Sequence, residues 1–365
     1  MECKPLKEVA QIIMGQSPDS SSYNEVGEGL PFFQGNADFG VMYPSERIWC
    51  NQPKKIANEN DILISVRAPI GALNYANKKC CIGRGLAAIT VKNPVERNYI
   101  FHLLKAKNAE LNRQGTGSTF KAIGKNVLED ILVPIVSSET QLHITRLMDI
   151  TESIISKRKK ELKYYDELIK ARFVEMFGNR WSNNKHWPVK TLGESTEFFN
   201  GKAHEQVVDD NGEYILVTSR CIASNLSDYR RTNTLLFPLR TGDICMVMSD
   251  VPNGKALAKC FLIDKDNLYT LNQRICCFRN YSLNKTFFLH LLNRHEYLLS
   301  FNDGDSQTNL RKGDLLNCPI INPPITLQEE FETFVKQIDK SKVAVQKSLE
   351  QTQMLFDSLM QQYFG

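Results

Sequence analysis

Side chains that donate and accept hydrogen bonds gather in six loops of this 365-residue sequence, five of them punctuated by glycine. They read "FFQGNADFG" (32–40), "SVRAPIG" (65–71), "GTGSTFKAIGK" (115–125), "FNGKAHEQ" (199–206), "VTSRCI" (217–222) and "NDGDSQTNLRK" (302–312). Their chemistry suits the edges of nucleic-acid bases. Arg and Lys match guanine in the major groove, Asn and Gln match adenine, and Ser and Thr serve in either role. Backbone amides of Gly-rich turns can approach phosphates. The candidates in the first half are Gln34, Asn36, Arg67, Arg84, Ser118, Thr119, Lys121 and Lys125. Those in the second are Lys202, Ser219, Arg220, Arg274, Gln307, Thr308, Asn309 and Lys312. Any one such loop is equally a solvated turn; what distinguishes them is recurrence at matched places in both halves of the chain.

Bond-making chemistry is harder to find, and no catalytic or metal-ligating residue is assigned. "AIGKN" (122–126) has a Gly-Lys but lacks the following Ser/Thr and the upstream glycine of a phosphate-binding loop. No G-x-G-x-x-G follows a strand. "INPPI" (321–325) resembles the Asn-Pro-Pro-aromatic motif of adenine methyltransferases, but its last residue is Ile325, which cannot stack on a flipped base. Pro there reads better as a break between a strand and a helix. The ten cysteines form no C-x-x-C pair, and the adjacent pairs Cys80-Cys81 and Cys276-Cys277 sit in apolar runs, where thiols act as small hydrophobes. His290 and His295, five residues apart, would face different sides of a helix.

Composition is that of a globular protein, 42% hydrophobic and 24% charged. No apolar run reaches the ~18 residues of a membrane span, and "MECKPLKEVAQIIMGQSP" has no apolar core of a signal peptide. A cytoplasmic location and no membrane partner are expected. The net charge is +4; residues 1–178 carry 24 Lys/Arg against 20 Asp/Glu, and the remainder 21 against 21. So mild a balance permits a nucleic-acid partner only if cations concentrate on one face.

The elements that must position the loops come in two sets. "FVEMFG" (173–178) and "MQQYFG" (360–365) spell nearly the same helix stop, Gly closing each. Sliding the sequence by the 187 positions between Gly178 and Gly365 aligns the 62 residues from Gly117 without a gap. Gly117 falls on Gly304, Lys125 on Lys312, Leu128 on Leu315, Gln141 on Gln328 and Phe177 on Phe364. The front parts align loosely, "NDILISV" (60–66) with "GDICMVM" (242–248) and "GRGLAAI" (83–89) with "NQRICCF" (272–278). The fronts read as mixed α/β: short apolar strands between Gly/Pro/Asn turns, with helical patches at 98–113 and 285–300.

Residues 141–177 contain neither Pro nor Gly. Met148, Thr151, Ile155, Arg158, Leu162, Tyr165, Ile169, Arg172 and Met176 form a heptad seam, and Val335, Ile338, Lys342, Val345, Leu349, Thr352, Phe356, Leu359 and Tyr363 repeat it. Helices with so thin a stripe are marginal alone. They are expected to pack on each other as an antiparallel coiled coil. The run Lys157–Lys160 on the first is either a solvated face or a contact for phosphates or an acidic partner. The organisation expected is a mixed α/β fold with an internal pseudo-two-fold repeat: a globular domain over 1–140, a long helix over 141–178, a polar linker over 179–187, a second globular domain over 188–327 and a second long helix over 328–365.

This layout resembles the specificity (S) subunit of type I restriction–modification systems, over essentially the whole chain. The resemblance is carried by "LEDILVPIVSSETQ" (128–141) and "LLNCPIINPPITLQ" (315–328), each leading into a helix that closes on Phe-Gly, and by "PLKEVAQIIMGQSP" (5–18) and "WPVKTLGESTEFFNGK" (187–202). It implies that the two fronts are target recognition domains, each reading half of an asymmetric bipartite sequence in double-stranded DNA. It implies that the paired helices are a spacer on which two methyltransferase (M) subunits dock, and that restriction (R) subunits complete the enzyme. The chain itself would be non-catalytic and without a cofactor, S-adenosylmethionine, ATP and Mg residing on the partners. A helix of this length spans ~55 Å at about 1.5 Å per residue, or ~16 base pairs at about 3.4 Å each as an upper bound. The alternatives are a tandem-domain scaffold that binds proteins and a self-contained DNA methyltransferase or nuclease.

Overall fold

Ile62–Ser65 and Ile244–Val247 are buried at every position, which is why both read as apolar runs in which Ser65 is the one polar member. The computed structural model describes residues 2–117, 121–251 and 254–365, and the chain is a two-domain α/β protein. One compact unit runs to Lys160 and includes Gln346–Gly365; the other is Glu161–Val345. The division falls inside the two long helices, Ser138–Phe177 and Ile325–Phe364, 40 residues each. Both begin three residues before the starts expected at 141 and 328, because Ser137 caps the first, its hydroxyl accepting the Thr140 N–H at 3.2 Å, and Pro324 directly precedes the second.

In the first unit an antiparallel sheet has the order Gln11–Met14, Leu86–Thr90, Ile62–Ser65, Leu73–Tyr75. A five-stranded sheet beside it contains one parallel pair, Leu30–Phe33 with Cys80–Ile82. Cys3–Pro5 pairs with Leu132–Pro134 and ties the start of the front to its end. The core joins these strands to Tyr99, Ile100, Leu103 and Leu104 on the helix Pro94–Ala106. The same cluster takes in Ile144, Met148 and Ile155 from the first long helix and Phe356 and Phe364 from the second.

In the second unit the antiparallel order is Glu197–Asn200, Ile275–Arg279, Ile244–Val247, Cys260–Leu262. A three-stranded sheet again holds one parallel pair, Tyr214–Val217 with Tyr269–Leu271. Val189–Thr191 pairs with Pro319–Ile321. Ile169, Phe173, Met176 and Phe177 of the first long helix share a core with Phe331 and Val335 of the second. Every seam position of both helices is buried or half-buried, whereas Tyr164, Leu168, Val343 and Leu355, off the seam, are exposed. In the basic run, Lys157, Lys159 and Lys160 are exposed and only Arg158, a seam residue, is half-buried.

The Phe-Gly stops are plugs. Phe177 is fully buried against Phe287, 4.7 Å between ring centres, in the second unit. Phe364 is buried against Tyr99, 5.2 Å away, in the first. Gly178 closes its helix at φ +77°, its N–H donating to the Val174 carbonyl. A side chain there would also strike the Asn184 amide, 2.2 Å from a Cβ.

The stretch 179–187 is a cap rather than a loose connector. Lys185 donates to the Met176 carbonyl at 3.1 Å, and Trp187 Nε1 donates to that of Phe177 at 2.9 Å. Arg180 donates to the carbonyls of His290, Leu291, Asn293 and Arg294, satisfying the end of the helix Lys285–Leu292. That helix stops at Leu292, so His290 and His295 do not share a helix as their spacing suggested; Arg294 takes φ +54° and His295 caps the next short helix. "INPPI" joins the strand ending at Ile321 to the helix starting at Ile325. Nine of the cysteines are buried, and burial raises the thiol pKa of Cys81 to about 11 and of Cys318 to about 12. No helix among the described residues is long and apolar enough to cross a membrane.

Candidate nucleic-acid interface

A parallel strand pair sends two loops out from the same edge. In the first unit the strands ending at Phe33 and Ile82 release Gln34–Asp38 and Gly83–Gly85 side by side. The loop after Ile62–Ser65 joins them, because Val66 N–H donates to the Gly85 carbonyl at 2.9 Å. The Gly85 N–H donates to the Gln34 carbonyl at 3.1 Å, and a Cβ at Gly85 would lie 2.3 Å from that oxygen. Glycine therefore sets the closeness of the two loops.

The result is a cleft of about 310 Å³. Gln34, Asn36 and Arg67 line it together with Asp38 and Arg47. Asp38 organises it: its carboxylate accepts the Gln34 N–H at 2.7 Å and pairs with the Arg47 guanidinium. The Gln34 side chain reaches the Tyr23 hydroxyl, whose pKa burial has raised. Arg84 is exposed next to Gly85, with its N–H on the Ser17 hydroxyl. Lys121 is exposed beside Arg67, its carbonyl accepting the Ala68 N–H at 3.0 Å. Lys125 does not join them; it opens a short helix and pairs with Glu129 at 2.9 Å. Ser118 and Thr119 lie outside the described residues.

In the second unit the strands ending at Val217 and Leu271 release Thr218–Arg220 and Asn272–Arg274. Met248 N–H donates to the Arg274 carbonyl at 3.1 Å. The cleft here is larger, about 580 Å³, and Ser219, Arg220 and Arg274 line it with Asn272, Tyr229 and Arg230. Glu205 also borders it, holding the Gln273 amide at 2.8 Å, and Arg220 has Asp228 at 3.6 Å. Lys202 is exposed at the margin, bridged to Asn272 through the backbone.

The 302–312 loop is anchored to this unit by Leu310 N–H on the Met248 carbonyl, 2.8 Å, but it does not line the cleft. Gln307 and Asn309 are exposed, and Gln307 donates to the Ser249 hydroxyl. Thr308 points inward: it is buried and its hydroxyl is spent on the Asn302 amide oxygen at 2.9 Å, which removes it as a surface reader. Lys312 lies over the Phe198 ring, 5.5 Å from its centre.

Sequence reasoning missed Asp38, Arg47, Tyr229 and Arg230. "YRRT" (229–232) was a visible basic–aromatic signal, since Tyr229 and Arg230 face the cleft while Arg231 turns to the Gly212 carbonyl. Arg47 carried no local signal; only the loop geometry brings it to Asp38.

The type I restriction modification DNA specificity domain matches residues 1–164 and again 184–352, one match for each cleft-bearing unit. The chain belongs to that family. It is 45% identical over 152 residues to a putative type I restriction enzyme MjaX specificity subunit of Methanocaldococcus jannaschii; the match covers 41% of this chain and 36% of the relative. The chain thus spans little more than a third of that relative's length. The MjaVIII specificity subunit of the same organism is 22% identical over 333 residues, covering 84% of this chain and 78% of the relative. A crystal structure of the S subunit of a type I restriction-modification system from M. genitalium matches with a TM-score of 0.57 at 16% identity, over 100% of this chain and 96% of that one. At that identity the specificity-domain fold is what is shared.

Proposed function

We propose that this chain is the DNA-reading subunit of a type I restriction–modification enzyme, each unit reading one half of an asymmetric bipartite target. The observation that carries this is the pair of clefts. Each lies where a parallel strand pair ends, each is lined by exposed or half-buried Arg, Asn, Gln or Ser side chains, and the two linings differ. Different linings call for different half-sites.

The functional division is into recognition domains over 1–140 and 188–327 and spacer helices over 141–178 and 328–365. An internal duplication underlies it: both units share one antiparallel strand order and one parallel pair. The helices form an antiparallel coiled coil. In the first unit the start of one helix packs with the end of the other, and in the second unit the reverse, which supports this arrangement. The chain is non-catalytic. Two methyltransferase subunits and restriction subunits join it, bringing S-adenosylmethionine, ATP and Mg, and the assembly works in the cytoplasm.

The test is methyl transfer from labelled S-adenosylmethionine to DNA. The purified chain alone gives none; adding methyltransferase subunits gives transfer at one split sequence, recovered by mapping methylated adenines. Transfer by the chain alone would overturn the reading, as would DNA retention without a steep salt dependence.

A further inference from the structure

The two clefts differ in the kind of hydrogen-bonding group they offer, and on the DNA-reading role proposed above this difference assigns base composition. In the first cleft the readers are the exposed amide of Gln34 and the half-buried amide of Asn36, with Arg67 at the rim. Its other guanidinium, Arg47, is held by Asp38, which also fixes the Gln34 backbone. In the second cleft three guanidiniums converge, those of Arg220, Arg230 and Arg274, all exposed. Arg220 has only a loose carboxylate neighbour at 3.6 Å, with its side chain 73% exposed. No ion pair holds Arg230 or Arg274 among the described residues.

We propose that the second unit reads a half-site richer in G·C pairs than the half-site read by the first, through Arg274 and its two neighbours. A guanidinium forks onto guanine O6 and N7 and finds no such acceptor pair on adenine, whereas Asn and Gln pair with adenine N6 and N7. Arg274 is the principal reader. Its carbonyl is pinned by Met248 N–H, so its backbone is fixed while its side chain projects into the cleft. The residue making the same bond in the first unit is Gly85, which offers no side chain at all.

The experiment is selection from DNA randomised in both half-sites, using the full chain assembled with its methyltransferase subunits. Wild type is compared with Arg274→Ala, Arg274→Lys and Arg230→Ala. The expected result is two half-sites of unequal G·C content. Arg274→Ala should lose discrimination roughly 5- to 150-fold at a G·C pair of the richer half-site, with the other half-site still read. Arg274→Lys keeps the charge, so it should hold overall affinity but lose most of that discrimination; it also serves where the alanine variant folds poorly. Two results overturn the inference. One is that the half-site relaxed by Arg274→Ala has no more G·C pairs than the other. The second is that the Arg274 variants weaken all sequences equally and flatten the salt dependence, the mark of phosphate contact. No selectable DNA for the wild-type assembly would instead refute the DNA-reading role itself.

Discussion

Gly85 and Arg274 make the same backbone bond in the two units and could hardly differ more as side chains. Each accepts the N–H of the residue just past a central strand, Val66 in one unit and Met248 in the other. Around them the frame is alike, down to Ile123 N–H on the Val66 carbonyl and Leu310 N–H on that of Met248. A frame of main-chain bonds leaves side chains at loop positions free to vary. Cleft lining and scaffold are therefore separable in this molecule.

The cores differ too. Asp243 is buried and pairs with Arg279 by two bonds, 2.8 and 2.6 Å. Asp61, at the matching place, is also buried, but Thr90 stands where Arg279 does. Burial pushes the Asp61 carboxyl above its usual pKa, with the Asn58 N–H and Arg97 drawing it back only in part.

The largest effects should come from the helix plugs. Phe177→Ala and Phe364→Ala should each cost about 3–5 kcal/mol. The comparison is sharpened by where the loss appears. Hydrogen exchange should rise over residues 161–345 for the first variant and over 2–160 and 346–365 for the second; a rise spread evenly over both units would break the assignment of each plug to one unit.

Arg279→Ala should cost roughly 3–5 kcal/mol, because it leaves a buried carboxylate without its cation. Thr90→Val in the other unit removes only a neutral hydroxyl and should change stability by less than about 1 kcal/mol. Denaturant midpoints of the two variants measure this directly, and equal losses would mean that the two buried acids are held in the same way.

Acidification should separate the units next. Burial, and then neighbouring cations, depress His290 and His295 to about 4 from the usual 6.5. The unfolded chain binds the extra protons in that window, so the second unit loses stability as pH falls from about 6.5 toward 4. His295 alone should account for on the order of 3 kcal/mol. Asp61 acts in the opposite sense, since the folded first unit holds its proton to higher pH and loses that contribution as pH rises through the raised value. Exchange rates at pH 7 and pH 5 should therefore diverge between units, and parallel changes would contradict the depressed histidines.

A modest loss is expected for Asp38→Ala, about 1–2 kcal/mol from lost bonds to the Gln34 N–H and Arg47. Its value lies in the DNA readout: base preference should blur at the half-site of the first unit and remain intact at that of the second. Blurring at both would mean that the clefts are not independent readers.

Much of the architecture was legible because it is periodic. The five strand runs around residues 62, 86, 214, 244 and 275 are strands, and both heptad stripes face inward. Periodicity reports burial of a face, which is a local property. Six of the sixteen candidate readers line a cleft. Gln34, Asn36, Arg67, Ser219, Arg220 and Arg274 meet in clefts, while Lys125, Gln307, Thr308, Asn309 and Lys312 do not line one. Loop composition cannot tell a side chain that projects from one, such as Thr308, that is consumed in holding its own loop.

By itself the sequence determined that there are two similar α/β units and two long helices stopped by Phe-Gly, because hydrophobic spacing and helix-ending glycine act within a few residues. Only the tertiary structure decided where each Phe-Gly lands, that 179–187 caps helices, and that Arg47 and Arg230 line the clefts. Those outcomes depend on groups tens of residues apart meeting in one packed core, where close packing admits one partner and excludes the rest.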